Sequence, residues 1–312
     1  RMGTLEEPKN PGSKGCGTVM RSAPFGLLVG WEPQLVFQLA VECAAQTHGH
    51  PTGQLAAGAF AVIVHGLARE EWLYSQRAPG GSCLSGLSDD RMGTLEEPKN
   101  PGSKGCGTVM RSAPFGLLVG WEPQLVFQLA VECAAQTHGH PTGQLAAGAF
   151  AVIVHGLARG EALDGSVQHA LALLGARPGH QETTDALQSA LGAVRQGLPS
   201  PQRVEALGEG WTAEETLAIG VYCALVAEDV RHGLLLAVNH SGDSDSTGSV
   251  CGNLLGVQHG ETALPPAWIA ELEGRSTILQ LADDFAMEMT QAPALHGPSG
   301  ASPAWLDRYP AS

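Results

Sequence analysis

The sequence predicts an all-α protein, built as a single compact multi-helix domain. Helical periodicity recurs along the chain, whereas the sustained two-residue alternation that half-buried strands show is missing. Hydrophobic residues make up 43% of the 312 residues, which is enough for a sizeable core. The segment "HGLLLAVNH" is the one stretch that resembles a strand.

Individual helices follow from the same pattern. Segment 122–137 carries apolar residues four positions apart, and 143–158 is apolar on nearly every side, which predicts a buried helix. Further helices are expected downstream, at 161–175, 183–196 and 213–227. The last of these is preceded by Thr212, with Glu215 three residues later, the spacing of a capping box.

The chain contains a long internal duplication. Residues 1–69 recur without a single change at 91–159, after the spacer 70–90. Structural repeats run roughly 20–50 residues and diverge, because each copy meets different neighbours. An unchanged copy of this length therefore indicates a recent duplication or an assembly event in the coding DNA. Two identical segments compete for one place in a core, and we expect the second copy to take it, since it continues directly into the rest of the chain.

This gives a predicted organisation in three parts. Residues 1–69 are the duplicate, whose packing the sequence leaves open. Residues 70–288 form the domain. Residues 289–312 are a tail rich in Pro, Gly and Ser, which we expect to be loosely held.

Composition excludes several classes of partner. The formal charge of −14, from 17 basic and 31 acidic residues, argues against binding to nucleic-acid phosphates or anionic membranes. No apolar run approaches the roughly 18–20 residues that span a bilayer. The 7 cysteines are scattered and lack CxxC spacing, which favours reduced thiols and predicts a cytoplasmic location. The sequence does not indicate an oligomeric state.

The stretch "NHSGDSDSTGSVCGNLLG" (239–256) is the first candidate site. Asp243, Asp245, Ser246 and Thr247 bring two carboxylates and two hydroxyls into five residues, and such hard oxygen ligands suit Mg²⁺ or Mn²⁺. The same residues also fit an ordinary helix N-cap, because Asp and Ser cap helices routinely. Local spacing leaves both interpretations open.

A Gly-rich segment, "NPGSKGCGTVMRSAPFG" at 100–116, is the second candidate. Gly105 and Gly107 can expose backbone N–H groups to a phosphate ahead of a helix, and Lys104 or Arg111 could add positive charge. The segment matches neither a Walker motif nor GxGxxG. A simple connection between helices is therefore the alternative.

The remaining polar motifs have plainer interpretations. In "THGHP", His138 and His140 could share a metal, but no third zinc ligand lies nearby, so a polar turn at a helix end is favoured. Cys223 and Cys251 lie on apolar faces and are expected in the core. The acidic pair in "LADDF" (281–285) fits a solvated helix end.

Taken together and in order, four segments resemble the ADP-ribosylglycohydrolase family: "NPGSKGCGTVMRSAPFGL", "THGHPTG", "NHSGDSDSTGSVCGNLLG" and "LADDF". The resemblance covers residues 70–288. It implies an all-α, single-domain fold with a pair of Mg²⁺ or Mn²⁺ ions in a central cleft. It also implies hydrolysis of the N- or O-glycosidic bond that joins ADP-ribose to a protein side chain or a small acceptor.

The resemblance also implies roles for particular residues. Asp243 and Asp245 match metal-ligating, catalytic aspartates, and Ser246 stands where many members have a Thr ligand. Residues of the Gly-rich segment and the His turn match positions that bind ADP-ribose, namely Ser103, Gly105, Cys106, Gly107 and His138. Cys106 stands where other members often carry Asn. Bound ions would orient the ribose hydroxyls and activate water.

One departure from the family limits this interpretation. In the family, "GDALG"-like and "TDDT"-like motifs of the N-terminal half supply the other metal ligands; here the copy 1–69 stands in their place, and Asp89 and Asp90 are a poor substitute. The sequence therefore predicts half of a metal site and impaired hydrolysis of an ADP-ribosylated substrate. The alternatives are a non-catalytic protein that binds ADP-ribose, or a helical protein that associates with itself. A generic Mg²⁺-dependent phosphohydrolase would need a further carboxylate cluster.

Overall fold

A computed structural model describes residues 79–88 and 93–290, together with Asn10 and positions 40–41 and 43–45 of the first copy. The chain divides into two compact units. One is Gly80–Ser276, and the other combines Arg1–Pro79 with Thr277–Ser312. The predicted tail 289–312 and the spacer acids Asp89 and Asp90 fall almost wholly outside the described residues.

Helices make up the regular structure of the described residues, which contain no β-strand, so the predicted all-α class is confirmed. From residue 79 onwards they are, in chain order, α1 (Gly81–Leu87), α2 (Gly107–Met110), α3 (Ala113–Gly116), α4 (Pro123–Ala135), α5 (Pro141–Ala158), α6 (Leu163–Leu174), α7 (Gln181–Val194), α8 (Pro201–Glu205), α9 (Ala213–Leu225), α10 (Val230–Val238), α11 (Ser244–His259), α12 (Pro266–Ala270) and α13 (Arg275–Thr290). A short 3₁₀ turn, Glu261–Ala263, lies between α11 and α12.

The core of the unit Gly80–Ser276 is built around α5. Every residue from Thr142 to Leu157 is buried, because α5 is apolar on all sides and packs against α3, α4, α6 and α9. Gly148 lets the side chains of Phe127 and Val131 reach its backbone: a Cβ there would lie 2.9 Å and 2.8 Å from them. The predicted buried helix at 143–158 is confirmed and begins slightly earlier, at Pro141.

The length and composition of α5 would allow it to cross a bilayer, although no segment of that kind was expected from the sequence. It is the one such helix among the residues that the structure describes, and 83% of it is buried inside the protein. A core helix passes the same test of length and hydropathy. The burial of α5 therefore accounts for its composition without a membrane.

The strand suggested by "HGLLLAVNH" is wrong, because this stretch from His232 to Val238 belongs to helix α10. Asp229 caps the helix, its Oδ1 accepting a hydrogen bond from the backbone N–H of His232 at 2.6 Å. Val230, Gly233 and Leu236 are buried at helical spacing, and α10 packs against α11. The apolar run is too short for its period to distinguish a strand from a helix, whereas the cap three residues upstream of His232 decides for the helix.

The helix predicted at 213–227 begins at Ala213 as expected, but its capping box does not form. Thr212 occupies the N-cap position without a side-chain hydrogen bond to the helix, and its Oγ1 is buried without a partner among the described groups. The side chain of Glu215 reaches past the N-cap residue into the preceding loop, where its Oε2 accepts a hydrogen bond from Gly210 N at 3.1 Å. The carboxylate therefore stabilises the preceding loop and not the N-cap.

Two further expectations have opposite outcomes. Cys223 and Cys251 are both fully buried in the core, as predicted. The acidic pair of "LADDF" does not form a solvated helix end: it lies inside α13, where Asp283 is exposed but Asp284 is only 1% exposed. Neighbouring residues of a helix point in different directions, so Asp283 faces solvent while Asp284 faces the interior. The sequence prediction treated the two residues as one unit.

Substitution of Gly148 tests which copy of the duplicated segment occupies the core. Gly148→Ala should lower the free energy of unfolding by about 1–2 kcal/mol, because overpacking against Phe127 and Val131 outweighs the gain in helix propensity. Gly192→Ala in α7, where a Cβ meets no atom within 4 Å, should raise it by about 0.5–1 kcal/mol. Urea unfolding followed by circular dichroism measures both.

The duplicate supplies a matched control for this experiment, since Gly58 has the same sequence neighbours as Gly148. Gly58→Ala should leave the main unfolding transition unchanged. A loss of stability in Gly58→Ala, with Gly148→Ala unaffected, would contradict the placement of the second copy in the core.

Candidate metal and ligand site

Three segments meet at the N-terminal end of α11: the Gly-rich segment before α2, the loop 209–212 before α9, and the turn into α11. Backbone hydrogen bonds join them. Cys106 N donates to Trp211 O at 3.1 Å, Ala213 N donates to Lys104 O at 2.8 Å, and Asp243 N donates to Glu209 O at 2.7 Å. The loop 209–212 thus connects the Gly-rich segment to the acidic turn.

Asp243 stands at the N-cap position of α11, but its side chain does not cap the helix. Its Oδ2 instead accepts hydrogen bonds from two side chains, Ser246 Oγ at 2.9 Å and Cys106 Sγ at 3.1 Å. The carboxylate is only 7% exposed. The helix-cap interpretation therefore applies to the position of Asp243 in the chain, while its carboxylate points into a polar cluster with Cys106 and Ser246.

The second carboxylate of the acidic turn lies against the first. A hydrogen bond with Asp243, together with burial and the negative charge of Asp243, raises the pKa of Asp245 above its usual range. Two carboxylates this close resist being ionised together unless a positive charge accompanies them. The pair is therefore suited to sharing either a proton or a cation.

The two hydroxyls that follow point in different directions. Ser246 contacts Asp243, as described, and its Oγ lies 3.3 Å from Cys106 Sγ. Thr247 Oγ1 donates to the backbone carbonyl of Ala237 at 2.7 Å, and His240 Nε2 lies 2.9 Å from it. Thr247 therefore holds the turn against α10, and Ser246 is the hydroxyl that faces the carboxylates.

Cys106 remains a neutral thiol in this setting. Burial raises its pKa to about 11, and the hydrogen bond to Asp243 acts in the same direction. A thiol that keeps its proton can donate a hydrogen bond to Asp243, as the amide of an Asn would. This is a physical reason why Cys can stand in place of the Asn that the family resemblance implies here.

The Gly-rich segment is braced by α1, a contact that the sequence did not indicate. Ser82 Oγ and Ser103 Oγ lie 2.7 Å apart, and Ser85 Oγ donates to Asn100 Oδ1 at 3.0 Å. Asn100 Nδ2 donates to the backbone carbonyls of Ser82 and Thr137, at 2.9 Å and 2.8 Å. One asparagine thus joins α1, the Gly-rich segment and the turn after α4.

Asn100 adopts a φ of 44°, a left-handed conformation that non-glycine residues seldom take and that Asn tolerates best. This residue was not among those singled out from the sequence, although the dipeptide Asn-Pro before the glycines is typical of a turn and could have indicated it. The partners of its side chain lie 15, 18 and 37 residues away, so their identity did not follow from the sequence.

Neither basic residue proposed from the sequence presents its charge to the glycines. Lys104 Nζ lies 2.7 Å from both Glu182 Oε2 and Glu214 Oε1. Burial lowers the pKa of Lys104, but the two carboxylates outweigh burial and raise it. Arg111 Nη2 donates to Cys133 O at 3.0 Å and to Thr137 Oγ1 at 2.6 Å. The charges of both residues are thus committed to other groups.

The two histidines of "THGHP" have separate roles. His140 is the N-cap of α5, and its Nδ1 accepts a hydrogen bond from Thr142 N at 3.2 Å. His138 is buried, its Nδ1 lies 2.7 Å from Thr137 Oγ1, and its Nε2 faces the glycines: a Cβ at Gly105 would lie 3.3 Å from it. The two ring systems do not converge, which agrees with the preference for a turn over a shared metal.

The structure therefore gathers the residues predicted for the site in one region of Gly80–Ser276. Cys106, Ser246 and the two aspartates form an acidic cluster. Ser103, Gly105, Gly107 and His138 line the adjoining segment, and Cys106 belongs to both groups. Fold and site together define an all-helical protein with an acidic helix start beside a glycine-rich loop.

Comparison with known proteins agrees with this description. The model of the ADP-ribosylglycohydrolase family matches residues 2–77 and 67–294. The chain therefore belongs to the ADP-ribosylglycohydrolase family. The first match lies mostly within the duplicate and the second contains the domain, so the family signal occurs twice along the chain.

One relative in sequence is an uncharacterised protein of Archaeoglobus fulgidus, which is 28% identical over 67% of this chain and 66% of that protein. Another is the ADP-ribosyl-[dinitrogen reductase] glycohydrolase of Rhodospirillum rubrum, which is 25% identical over 65% of this chain and 63% of that protein. The chain thus spans just under two thirds of each relative. A solved structure, an ADP-ribosylglycohydrolase-related protein complex, is similar with a TM-score of 0.50 and 23% identity, over 83% of this chain and 78% of that one. This likeness supports the shared fold.

The buried imidazole of His138 predicts a loss of stability in acid. Burial, with the nearby Arg111 charge, lowers its pKa to about 4 from 6.5. Between these values the unfolded chain binds a proton that the folded chain does not, so stability falls as the pH decreases from 6.5 towards 4. The free energy of unfolding, measured from pH 7 to pH 5, should fall on the order of 1–2 kcal/mol less in His138→Gln than in the wild type.

His48 occupies the corresponding position of the duplicate, so His48→Gln is the control for this comparison. It should reproduce the wild-type dependence on pH. Parallel curves for the wild type and His138→Gln would show that this imidazole titrates alike in both states.

Proposed function

We propose that the chain is a hydrolase that cleaves the glycosidic bond between ADP-ribose and a protein side chain or small acceptor, with Mg²⁺ or Mn²⁺ bound at the acidic turn. Membership of the family supports hydrolysis of this kind, and the similar protein from Rhodospirillum rubrum is named for it. The observation that carries the proposal is the set of partners of Asp243, whose carboxylate makes no capping hydrogen bond to the helix backbone and accepts hydrogen bonds from Cys106 and Ser246.

The donor set fits one hard cation. Asp243, Asp245 and Ser246 would supply carboxylate and hydroxyl oxygens, the ligands that Mg²⁺ and Mn²⁺ prefer, and the raised pKa of Asp245 marks a pair of acids that positive charge would stabilise. In the ranges 79–88 and 93–290, no group of three or more His, Cys, Asp or Glu side chains gathers in a way that could hold a metal. A second ion would need carboxylates from elsewhere.

When bound, the cation would activate water and orient the ribose hydroxyls. The chain's own residues have more defined tasks. With a cation bound, Asp243 and Asp245 would both be ionised, and their negative charge would favour a transition state with oxocarbenium character. Cys106, a neutral donor, holds one oxygen of Asp243 in place.

The Gly-rich segment would bind the ADP-ribose part of the substrate. Ser103 can contribute a hydroxyl, and Gly105 and Gly107 lack side chains at the point where a ligand would approach the backbone. The backbone of the segment is held by the loop 209–212, so its shape is set before a ligand arrives. We propose the cytoplasm as the location, in keeping with the free thiols of the described cysteines.

A second candidate is binding of ADP-ribose without hydrolysis. It is favoured by the small number of acidic ligands: the described residues supply two carboxylates at this turn, whereas the family resemblance implies a pair of ions. Self-association through the duplicated segment remains a third, structural hypothesis from the sequence.

Removal of either carboxylate tests the metal site. Asp243→Asn and Asp245→Asn should each weaken Mn²⁺ binding at least about tenfold, because a charged ligand is replaced by a neutral one. Isothermal titration calorimetry measures the affinity. Asp164→Asn, an exposed charge in the first turn of α6, is the control and should bind like the wild type. Identical titrations for all four proteins would exclude a cation at Asp243 and Asp245.

Hydrolysis is tested separately, by release of ADP-ribose from an ADP-ribosylated protein in the presence of Mn²⁺. The wild type should release it, and both aspartate variants should lose the activity. A wild type that binds ADP-ribose but releases none would replace the hydrolase proposal with the binding protein.

A further inference from the structure

A chain of three polar side chains runs behind the Gly-rich segment. Arg111 Nη2 lies 2.6 Å from Thr137 Oγ1, and Thr137 Oγ1 lies 2.7 Å from His138 Nδ1. Thr137 and His138 are 1% and 2% exposed, so the hydrogen bonds are largely shielded from water. The chain joins the residue after α2 to the turn between α4 and α5.

The direction of donation along this chain follows from the chemistry of its first member. A guanidinium only donates, so Thr137 Oγ1 accepts from Arg111. The threonine hydroxyl has one hydrogen, and His138 Nδ1 is the acceptor that the described residues place within reach of it. If Nδ1 donated instead, the buried hydroxyl hydrogen of Thr137 would have no acceptor there. His138 Nδ1 therefore accepts.

The opposite ring nitrogen must then carry the proton whenever the ring is neutral. Burial and the Arg111 charge lower the pKa of His138 to about 4, so the neutral ring predominates at pH 7. The turn itself is fixed: His138 N donates to Ala134 O at 2.9 Å, and Gln144 Nε2 donates to His138 O at 3.1 Å. Because the backbone of the turn and the Nδ1 side of the ring are both held, the direction of the Nε2–H group is set.

That orientation is towards the glycines. Cβ atoms built on Gly105 and Gly107 would lie 3.3 Å and 3.7 Å from His138 Nε2. The hydrogen bonds of His138 with described residues involve Nδ1 and the backbone. Side chains at the two glycine positions would crowd the imidazole edge. The absence of side chains at both glycines thus leaves space beside Nε2 on the segment to which we assign ADP-ribose.

We propose that Arg111 and Thr137 are positioning residues that hold His138 as its Nε2–H tautomer, so that Nε2 donates a hydrogen bond to an acceptor oxygen of a ligand on the Gly-rich segment. The identity of that oxygen, as one of ADP-ribose, rests on the proposed function. The tautomer rests on Arg111, Thr137 and His138 alone. The two parts can therefore be tested apart.

The tautomer is tested without a ligand, by nuclear magnetic resonance of protein labelled with ¹⁵N-histidine at pH 7. The His138 signals are assigned by their absence in His138→Gln. Nδ1 should show the shift of an unprotonated acceptor nitrogen, and Nε2 should carry the hydrogen. Thr137→Val, which keeps the shape but removes the hydroxyl, should give a mixture of tautomers, and Thr137→Ser should restore the wild-type pattern.

The duplicate again provides the matched control, because Thr47 precedes His48 as Thr137 precedes His138. Thr47→Val should leave the His138 signals unchanged. A wild-type His138 with hydrogen on Nδ1 would overturn the proposal, and so would a tautomer that is the same in Thr137→Val as in the wild type.

The ligand part is tested by calorimetric titration with ADP-ribose. Thr137→Val should weaken binding about tenfold, the loss expected for one misdirected hydrogen bond, and Thr137→Ser should bind like the wild type. Unchanged affinity in Thr137→Val, despite an altered tautomer, would overturn the assignment of His138 Nε2 to the ligand. No binding of ADP-ribose by the wild type would instead contradict the proposed function and leave the tautomer standing.

Discussion

The complete burial of α5 is the constraint on which the site depends. A helix buried on every side must be met by neighbours all round, and it carries glycine and alanine where those neighbours come closest, as at Gly148. Its N-terminal end is fixed by this packing. His138 and His140 directly precede that end, so the packing of α5 also fixes the position of the turn that carries them.

Backbone hydrogen bonds join this turn to the Gly-rich segment and fix its position. Gly139 N donates to Asn100 O at 3.0 Å, and His140 N donates to Ser103 O at 3.1 Å. The Gly-rich segment is also hydrogen-bonded to the loop 209–212, in which Glu209 O accepts a hydrogen bond from Asp243 N. The acidic turn and the glycines are thus placed relative to each other through backbone atoms, which leaves their side chains free for other partners.

Periodicity was sufficient to predict the helices and the core, because both depend on local spacing. The buried helix at 143–158 and the start of α9 at Ala213 follow from apolar pattern and punctuation in the sequence. It was insufficient for α10, where a short apolar run fits either period, and for Asp284, whose burial depends on the face that the helix presents. The roles of Arg111 and Asn100 depend on partners 15 or more residues away, which spacing does not encode.

The duplication can be understood in the same terms. Both copies carry the sequence of α4 and α5, but the helices that cover α5 on its other sides, α6 and α9, each occur once in the chain. The free energy of burying α5 against them is therefore available to one copy at a time. Similarity to the family cannot assign that copy, because the family signal occurs in both. Continuity favours the second copy: α6 begins five residues after α5 ends, whereas the spacer and the whole second copy separate the first copy from α6. Short connections between packed helices are the rule in compact domains.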